Sequence, residues 1–295
     1  MQPADFLSAV FFYLKVGENL NQNWIVENLN NAFSTWNGKL GELWGLVTTG
    51  PQTFKGGAVW SVMQTLHNGM VGIGYALVVL FFAISLCKNT MNFHELKRPE
   101  AAIHYFLRFV AAKTLVGYGM DIMLNVFSIC NGIVIDMADS MGGISEAMVS
   151  LPAEMQTAIE NVGFLASIPL WLVTILGSLF ITVLSFVMIL TVYGRFFRLY
   201  MYTALAPLPL AAFAGESTQS VGISFLKSYV GVCLEGAVIV LACVIYSAFV
   251  STPTVASGEA TTIVWSYLAE TVFNMLVLVG LIKGSDRIIH EMMGL

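Results

Sequence analysis

Five long apolar stretches constrain the fold of this chain more than any other feature. They lie roughly at 68–88, 104–136, 163–193, 226–250 and 263–283, and each is long enough for a helix to cross the hydrocarbon core of a bilayer. The runs are continuous rather than alternating, and open sheet edges do not occur in lipid. Only 11% of the 295 residues are charged, against about 25% in a typical soluble domain. The sequence therefore predicts an all-α, polytopic membrane protein with five transmembrane helices.

The distribution of lysine and arginine predicts the orientation of these spans. The connections at 137–160 and 251–262 contain no Lys or Arg, whereas 89–103 contains Lys97 and Arg98. Arg195, Arg198 and Lys227 flank the connection at 199–225, and Lys283 and Arg287 follow the last span. Ten of the 13 basic residues fall on one side of the alternation: Lys88, Lys97, Arg98, Arg108, Lys113, Arg195, Arg198, Lys227, Lys283 and Arg287. Basic connections mark the cytoplasmic side, so we expect the N-terminus outside and the C-terminus in the cytoplasm.

The N-terminal part of the chain differs from the rest. Residues 4–50 are the least hydrophobic, and their apolar residues recur near helical spacing. We expect residues 1–57 to form an extracytoplasmic amphipathic helical region, on the outer membrane surface or packed on partner subunits, and residues 58–295 to form the transmembrane domain. All six tryptophans fit the outer side, near the interface that Trp favours. Asp5 stands where a signal peptide carries positive charge, so we expect no cleavage.

Polar residues inside the spans are the candidate functional groups. Asp121 and Asn125 lie on one predicted face of span two, and Glu270 and Asn274 are four residues apart in span five. Intramembrane carboxylates are costly and normally face a bundle interior or water. For Asp121, Glu235 and Glu270, a pore-lining role and structural pairing both remain open.

Depth along the helices suggests a partner for Glu235. Lys113 and Glu235 lie nine and ten residues from the expected cytoplasmic ends of spans two and four. We therefore predict that they face each other, with Arg108 as the alternative partner. The rival interpretation is that Glu235 lines a water-filled interior without a partner.

The segment "GRFFRLYMYTALAPLPLAAFAGE" (194–216) follows span three. We expect Arg195 and Arg198 to extend toward the inner headgroups. Pro207 and Pro209 prevent a regular helix from continuing, so the apolar run should form a bent segment in the inner leaflet or against protein. Irregular backbone at that depth needs cover, and a neighbouring subunit or a cytoplasmic ATPase is a candidate contact.

The sequence contains neither of two motifs that are typical of soluble enzymes. The sequence lacks a GxxxxGK[ST] phosphate loop, and "HEMMG" near the end lacks the second His of a zinc-protease helix. We expect no catalytic, cofactor-binding or metal site. The formal net charge of −5 argues against a nucleic-acid-binding surface.

The order of these features resembles a known family. A Trp-bearing N-terminus precedes five spans, "HELKRPE" (94–100) joins the first two, and the third ends in the segment from Arg195 to Gly215. Over about residues 58–290 this resembles the TrbL-like family of conjugal transfer proteins, the polytopic membrane component of type IV secretion systems. The likeness is greatest to the branch found in single-membrane bacteria.

The resemblance implies a channel subunit in the bacterial plasma membrane. It would form homo-oligomeric rings among membrane lipids, contact other secretion subunits including cytoplasmic ATPases, and help pass single-stranded DNA with its attached relaxase. The basic residues form no funnel of the kind that single-strand binders use, unless a ring repeats Arg195 and Arg198. An ion-coupled transporter and a YidC-type insertase are the alternatives. The first usually shows internal repeats, and the second carries a long first cytoplasmic hairpin; neither is found here.

Overall fold

The computed structural model describes the backbone of residues 3–90, 99–140, 148–162, 164–249 and 260–295, and the side chains of 24–88, 103–139, 148–162, 167–248 and 262–295. The described residues are helical, with no strand among them, which confirms the all-α prediction. The helices are α1 (Pro3–Thr48), α2 (Ala58–Thr90), α3 (Pro99–Gly117), α4 (Gly119–Ser140), α5 (Ala153–Glu160), α6 (Phe164–Leu205), α7 (Pro207–Ala211), α8 (Gln219–Phe249) and α9 (Ala260–Met293). The basic turn at 94–100 lies outside the described residues, as do parts of the predicted loops 89–103, 137–160 and 251–262.

Five helices are long and apolar enough to cross a membrane, as predicted. They cover Phe54–Lys88, Gly119–Asp139, Ser167–Leu205, Gln219–Ala248 and Thr262–Met293. Span two differs from the prediction, because the stretch expected as one helix is interrupted at Tyr118. Tyr75 of α2 approaches the chain closely beside the interruption: a Cβ on Gly117 would lie 2.7 Å from Tyr75 Oη. The predicted single polar face of span two is therefore divided between α3 and α4.

A tight turn connects α1 to α2. Lys55, Gly56 and Gly57 all have positive φ angles, of 48°, 74° and 78°, a region that glycine adopts without steric cost. The turn is fixed by Tyr200, whose hydroxyl donates to Pro51 O at 2.8 Å, and by Phe54, which stacks on Phe196 with ring centroids 4.1 Å apart. The end of α1 is thus anchored to the C-terminal part of α6.

The described helices divide into two compact units. Unit 1 comprises Met1–Trp44, Gly142–Thr191 and Leu241–Lys283, and unit 2 comprises Gly45–Met141, Val192–Val240 and Gly284–Leu295. The predicted division at residue 57 stays a prediction.

In unit 1, α1 packs lengthwise along α6. Trp24 stacks on Trp171 with ring centroids 5.8 Å apart, and Lys39 Nζ lies 5.9 Å from the ring centroid of Phe186. Both pairs of positions are fifteen residues apart, so the two helices run parallel for about 22 Å. Trp36 is fully buried in this packing rather than at a membrane surface. This part of α1 therefore packs on a candidate span of the chain itself, because its apolar stripe finds partners there. The expected position of α1 on the outer membrane surface or on partner subunits stays a prediction.

In unit 2, the proline segment is covered by the chain itself. α7 and the short turn Ala212–Ala214 pack against α2 and α3, and Pro207 is buried. Gly74 of α2 approaches so closely that a Cβ there would lie 2.9 Å from Pro207 O. The helix interruption predicted from Pro207 and Pro209 occurs at Ala206, and the apolar run beyond it forms the short helix α7, which α2 and α3 cover. Its position in the inner leaflet stays a prediction.

Candidate functional site

Arg195 is the most deeply buried charge among the described residues. Its side chain, on α6, is 0% exposed. Nε donates to Val232 O at 3.3 Å and Nη2 to Cys233 O at 3.1 Å, both on α8, and Nη1 donates to Val47 O of α1 at 3.4 Å. The guanidinium also lies 5.9 Å from the ring centroid of Phe127 on α4. A buried charge needs such partners, and here Arg195 joins three helices to α6.

The expectation that Arg195 extends toward the headgroups is wrong. The side chain turns into the protein because backbone carbonyls of α1 and α8 accept its hydrogen bonds there. Gly236 makes the approach possible, since a Cβ at that position would lie 2.8 Å from two guanidinium nitrogens. In the sequence, the one indication of this contact is that Gly236 follows Glu235, since a glycine beside a charge leaves room for another side chain to approach.

Arg198 lies one turn later on α6 and holds two carboxylates. Its Nη2 donates to both carboxylate oxygens of Glu235 at 2.7 Å, and its Nη1 donates to Asp286 of α9. The Ser285 hydroxyl donates to Glu235 Oε1 at 3.2 Å. The Glu235 side chain is 1% exposed and that of Arg198 28%. Because the guanidinium of Arg198 contacts a carboxylate on each side, its charge is neutralised. Arg198 is not the free headgroup anchor that was expected.

The predicted partner of Glu235 is also wrong. Lys113 is exposed on α3, and Arg108 donates instead to Gln219 Oε1 at 2.7 Å. Matching depths narrows the choice of partner but cannot say which helices are neighbours or how each is rotated. The structure makes α6 the neighbour of Glu235 on α8. Asp286 was missed because span five was expected to end at residue 283.

The ionic cluster consists of Arg195, Arg198, Glu235, Ser285 and Asp286; Arg195, Glu235 and Ser285 are buried, whereas Arg198 and Asp286 are partly exposed. It contains two cationic and two acidic side chains, and it connects α6, α8 and α9 within unit 2. Removing one partner of a buried ion pair costs about 3–5 kcal/mol, because the other charge stays buried without compensation. The arrangement fixes which helices meet and at which rotation. In the part of the chain that the structure describes, no group of three or more His, Cys, Asp or Glu side chains could hold a metal ion.

A second polar region lies on α4. Asp121, Asn125 and Ser128 are all exposed at helical spacing on this candidate span. With the turn at Gly50–Gln52 they line an open groove of about 560 Å³. Asn131 also lines the groove: its Nδ2 donates to Thr48 O at 3.3 Å, whereas its buried Oδ1 has no partner among the described residues. The structure thus keeps the polar face expected from Asp121 onward and opens it to the surface of the chain.

The remaining candidate residues are separated from one another. Glu270 and Asn274 do not share an environment in unit 1, since Glu270 is exposed and Asn274 is only 8% exposed. Pro209 lines an apolar groove of about 420 Å³ whose wall also includes Arg198 and Phe225. Each of these residues stays a candidate by position alone.

Comparison with protein families gives a match over most of the N-terminal two thirds of the chain. Residues 36–207 match the family described as TrbL/VirB6 plasmid conjugal transfer like protein, which is more than half of the chain. The protein belongs to this family. As a TrbL/VirB6 protein it is a multi-pass membrane component of a conjugal transfer or type IV secretion system, not a member of a known enzyme class. Comparisons with curated proteins and with solved structures give no match. The matched range includes the polar face of α4 and both arginines of the ionic cluster.

Proposed function

We propose that the protein is a subunit of a membrane channel that helps relaxase-bound single-stranded DNA cross the plasma membrane of a donor cell. Copies of the chain would form a ring with the N-terminus outside and the C-terminus in the cytoplasm, where the ATPases of the system act. Family membership supports the association with other secretion subunits and favours this function over a transporter or an insertase.

The exposed polar face of α4 is the observation that carries the proposal. Asp121, Asn125 and Ser128 lie on a candidate span and are exposed on the surface of a single chain. Charged and amide side chains are costly against hydrocarbon and normally face water or a bundle interior. A lipid-facing position for this face is therefore unfavourable. Water in a shared conduit satisfies these groups, and the open groove beside them leaves room for it.

Arg195 and Arg198 do not belong to the path of the DNA in this proposal. Arg195 is enclosed by backbone carbonyls, and Arg198 is neutralised by two carboxylates. A ring of copies would therefore not present them to phosphates. A conduit must bind its cargo weakly enough to release it. A wall of amide and hydroxyl groups with one carboxylate, Asp121, satisfies that condition better than a ring of arginines.

Photo-crosslinking during mating tests the proposal. A photoreactive amino acid is placed at Asn125, on the polar face of α4, or at Leu179, which is exposed on the apolar face of α6. After irradiation of mating donors, the protein is purified and the transferred strand is quantified. We expect recovery of the strand with the Asn125 variant and not with the matched Leu179 variant. Equal recovery from both, or none from Asn125 while mating proceeds normally, would contradict a channel wall at α4.

A further inference from the structure

We propose that α1 forms a second wall that faces water at membrane depth. The wall is its exposed face, consisting of Glu27, Asn30, Asn31, Ser34, Gly38 and Gly41. This inference rests on the membrane location of α6. It rests on the proposed function only in taking single-stranded DNA as the molecule that passes along the wall.

The depth of this face follows from the packing in unit 1. Trp24 pairs with Trp171, and Lys39 with Phe186. Trp171 and Phe186 both belong to the candidate span Ser167–Leu205. The exposed residues of α1 from Glu27 to Gly38 therefore lie beside a membrane-spanning helix. α1 itself is too polar to be recognised as a span by hydropathy, which explains why its sequence suggested a surface position.

The exposed faces of the two helices have opposite chemistry. Along the same length, the exposed residues of α6 are all apolar: Leu172, Leu176, Leu179, Phe180, Val183, Phe186 and Leu190. That surface suits lipid tails. The exposed face of α1 offers amides, a hydroxyl, glycines and one carboxylate, and lipid tails cannot satisfy their hydrogen bonds. Of these two parallel helices in unit 1, α6 thus exposes an apolar face that suits lipid, and α1 exposes a polar face.

An open groove borders the polar face. It has a volume of about 590 Å³ and is lined by Asn30, Ser34 and Gly38 together with the segment 148–151. The Asn37 amide donates to Val149 O at 2.8 Å and its oxygen accepts from Val149 N at 2.9 Å, which fixes that segment against α1. The side chains of Asn30 and Ser34 have no hydrogen-bond partner among the described residues. The groove is large enough to hold water molecules that supply these partners.

The charge on this face is small. Lys39 and Glu42 at its edge pair with each other at 2.6 Å. Glu27 is the one exposed charge between residues 24 and 41 without an opposite charge beside it, among the described residues. Such a surface exchanges hydrogen bonds with water and has no cation to retain a phosphate. It therefore fits a wall along which a polyanion moves without being held.

Thiol modification along two helices tests this wall. In a background without the native cysteines, single cysteines replace Ser34 and Gly38 on α1, and Leu176 and Val183 on α6. All four positions are exposed in a single chain and lie between the two pairs that align the helices. Isolated membranes are treated with a charged methanethiosulfonate, which requires a thiolate and therefore water. We expect modification at Ser34 and Gly38 to be about tenfold faster or more than at Leu176 and Val183, because thiolates form only where water reaches.

Each other result would overturn the inference. Fast modification at all four positions would place this part of unit 1 outside the membrane. Slow modification at all four would mean that protein or lipid covers the polar face. The measurement needs no DNA transfer, so its failure is distinguishable from that of the proposed function, which depends on crosslinks to the transferred strand at α4.

Discussion

Glu235 illustrates how far a single residue can be interpreted from sequence. A carboxylate in the middle of an apolar run predicts a partner or a water-filled interior, and the structure supplies a partner. The bidentate contact with Arg198 and the hydroxyl of Ser285 satisfy both carboxylate oxygens. The need of Glu235 for a partner or for water could be predicted because it depends on residue type and depth. The partners of Glu235, Arg195 and Arg198 could not, because partner choice depends on the rotation of α6, α8 and α9.

Replacing Glu235 by Gln should destabilise the protein by about 3–5 kcal/mol, the usual cost of removing one member of a buried ion pair. Arg198 would then keep Asp286 but lose the carboxylate that fills its buried side. Thermal unfolding of the detergent-solubilised protein, followed by size-exclusion chromatography, measures the effect. Lys113→Gln is the matched control, since Lys113 is exposed, and it should unfold like the wild type. Equal destabilisation by both substitutions would restore the Lys113 pairing and contradict the cluster.

At the scale of helices, hydropathy predicted the five long apolar helices, but it did not predict the interruption at Tyr118 or the course of α1, because these depend on packing between helices. The five spans follow from long apolar runs and are present. The close approach of Tyr75 to Gly117, beside the interruption at Tyr118, depends on how α2 packs against α3. The course of α1 depends on which helix covers its apolar stripe. Neither contact can be found from the segment's own sequence, because the contacting residues are more than 40 positions away.

The anchoring of the segment before α5 by Asn37 gives a prediction at this scale. Asn37→Ala should release the Val149 backbone, because the amide satisfies both its N–H and its C=O. These hydrogen bonds are part-buried, and each such bond contributes about 0.5–1.5 kcal/mol. Each 1.4 kcal/mol corresponds to about a tenfold loss of protection. Hydrogen–deuterium exchange at Val149 measures this loss. Asn30→Ala removes an exposed amide from the same helix and should leave exchange unchanged. Unchanged exchange in Asn37→Ala would show that other contacts hold the segment.

For the whole molecule, one contact conflicts with the topology expected from charge. The N-terminal 57 residues were expected outside the cell, and the segment around Tyr200 in the cytoplasm. The Tyr200 hydroxyl nevertheless donates to Pro51 O, and Phe54 stacks on Phe196. Both expectations cannot hold together. The basic residues of span three's end and of the C-terminal tail favour the cytoplasm for Tyr200. We therefore expect the turn after α1 on the cytoplasmic side and α1 to cross the membrane. Because the basic connection 89–103 is expected on that side as well, the candidate span Phe54–Lys88 must then return to the cytoplasmic side without crossing.

Cysteine labelling of intact and permeabilised cells decides this topology. Gln52 is exposed in the turn after α1, and Ser257 belongs to the predicted outer loop 251–262, outside the described residues. In a background without the native cysteines, we expect an impermeant maleimide to label Ser257→Cys in intact cells and Gln52→Cys only after permeabilisation. The physical reason is that the turn at Gln52 must share the side of Tyr200, on which it packs, whereas a loop without Lys or Arg is favoured outside. Labelling of both cysteines in intact cells would return residues 1–57 to the outer side and remove the Tyr200 end of α6 from the cytoplasm.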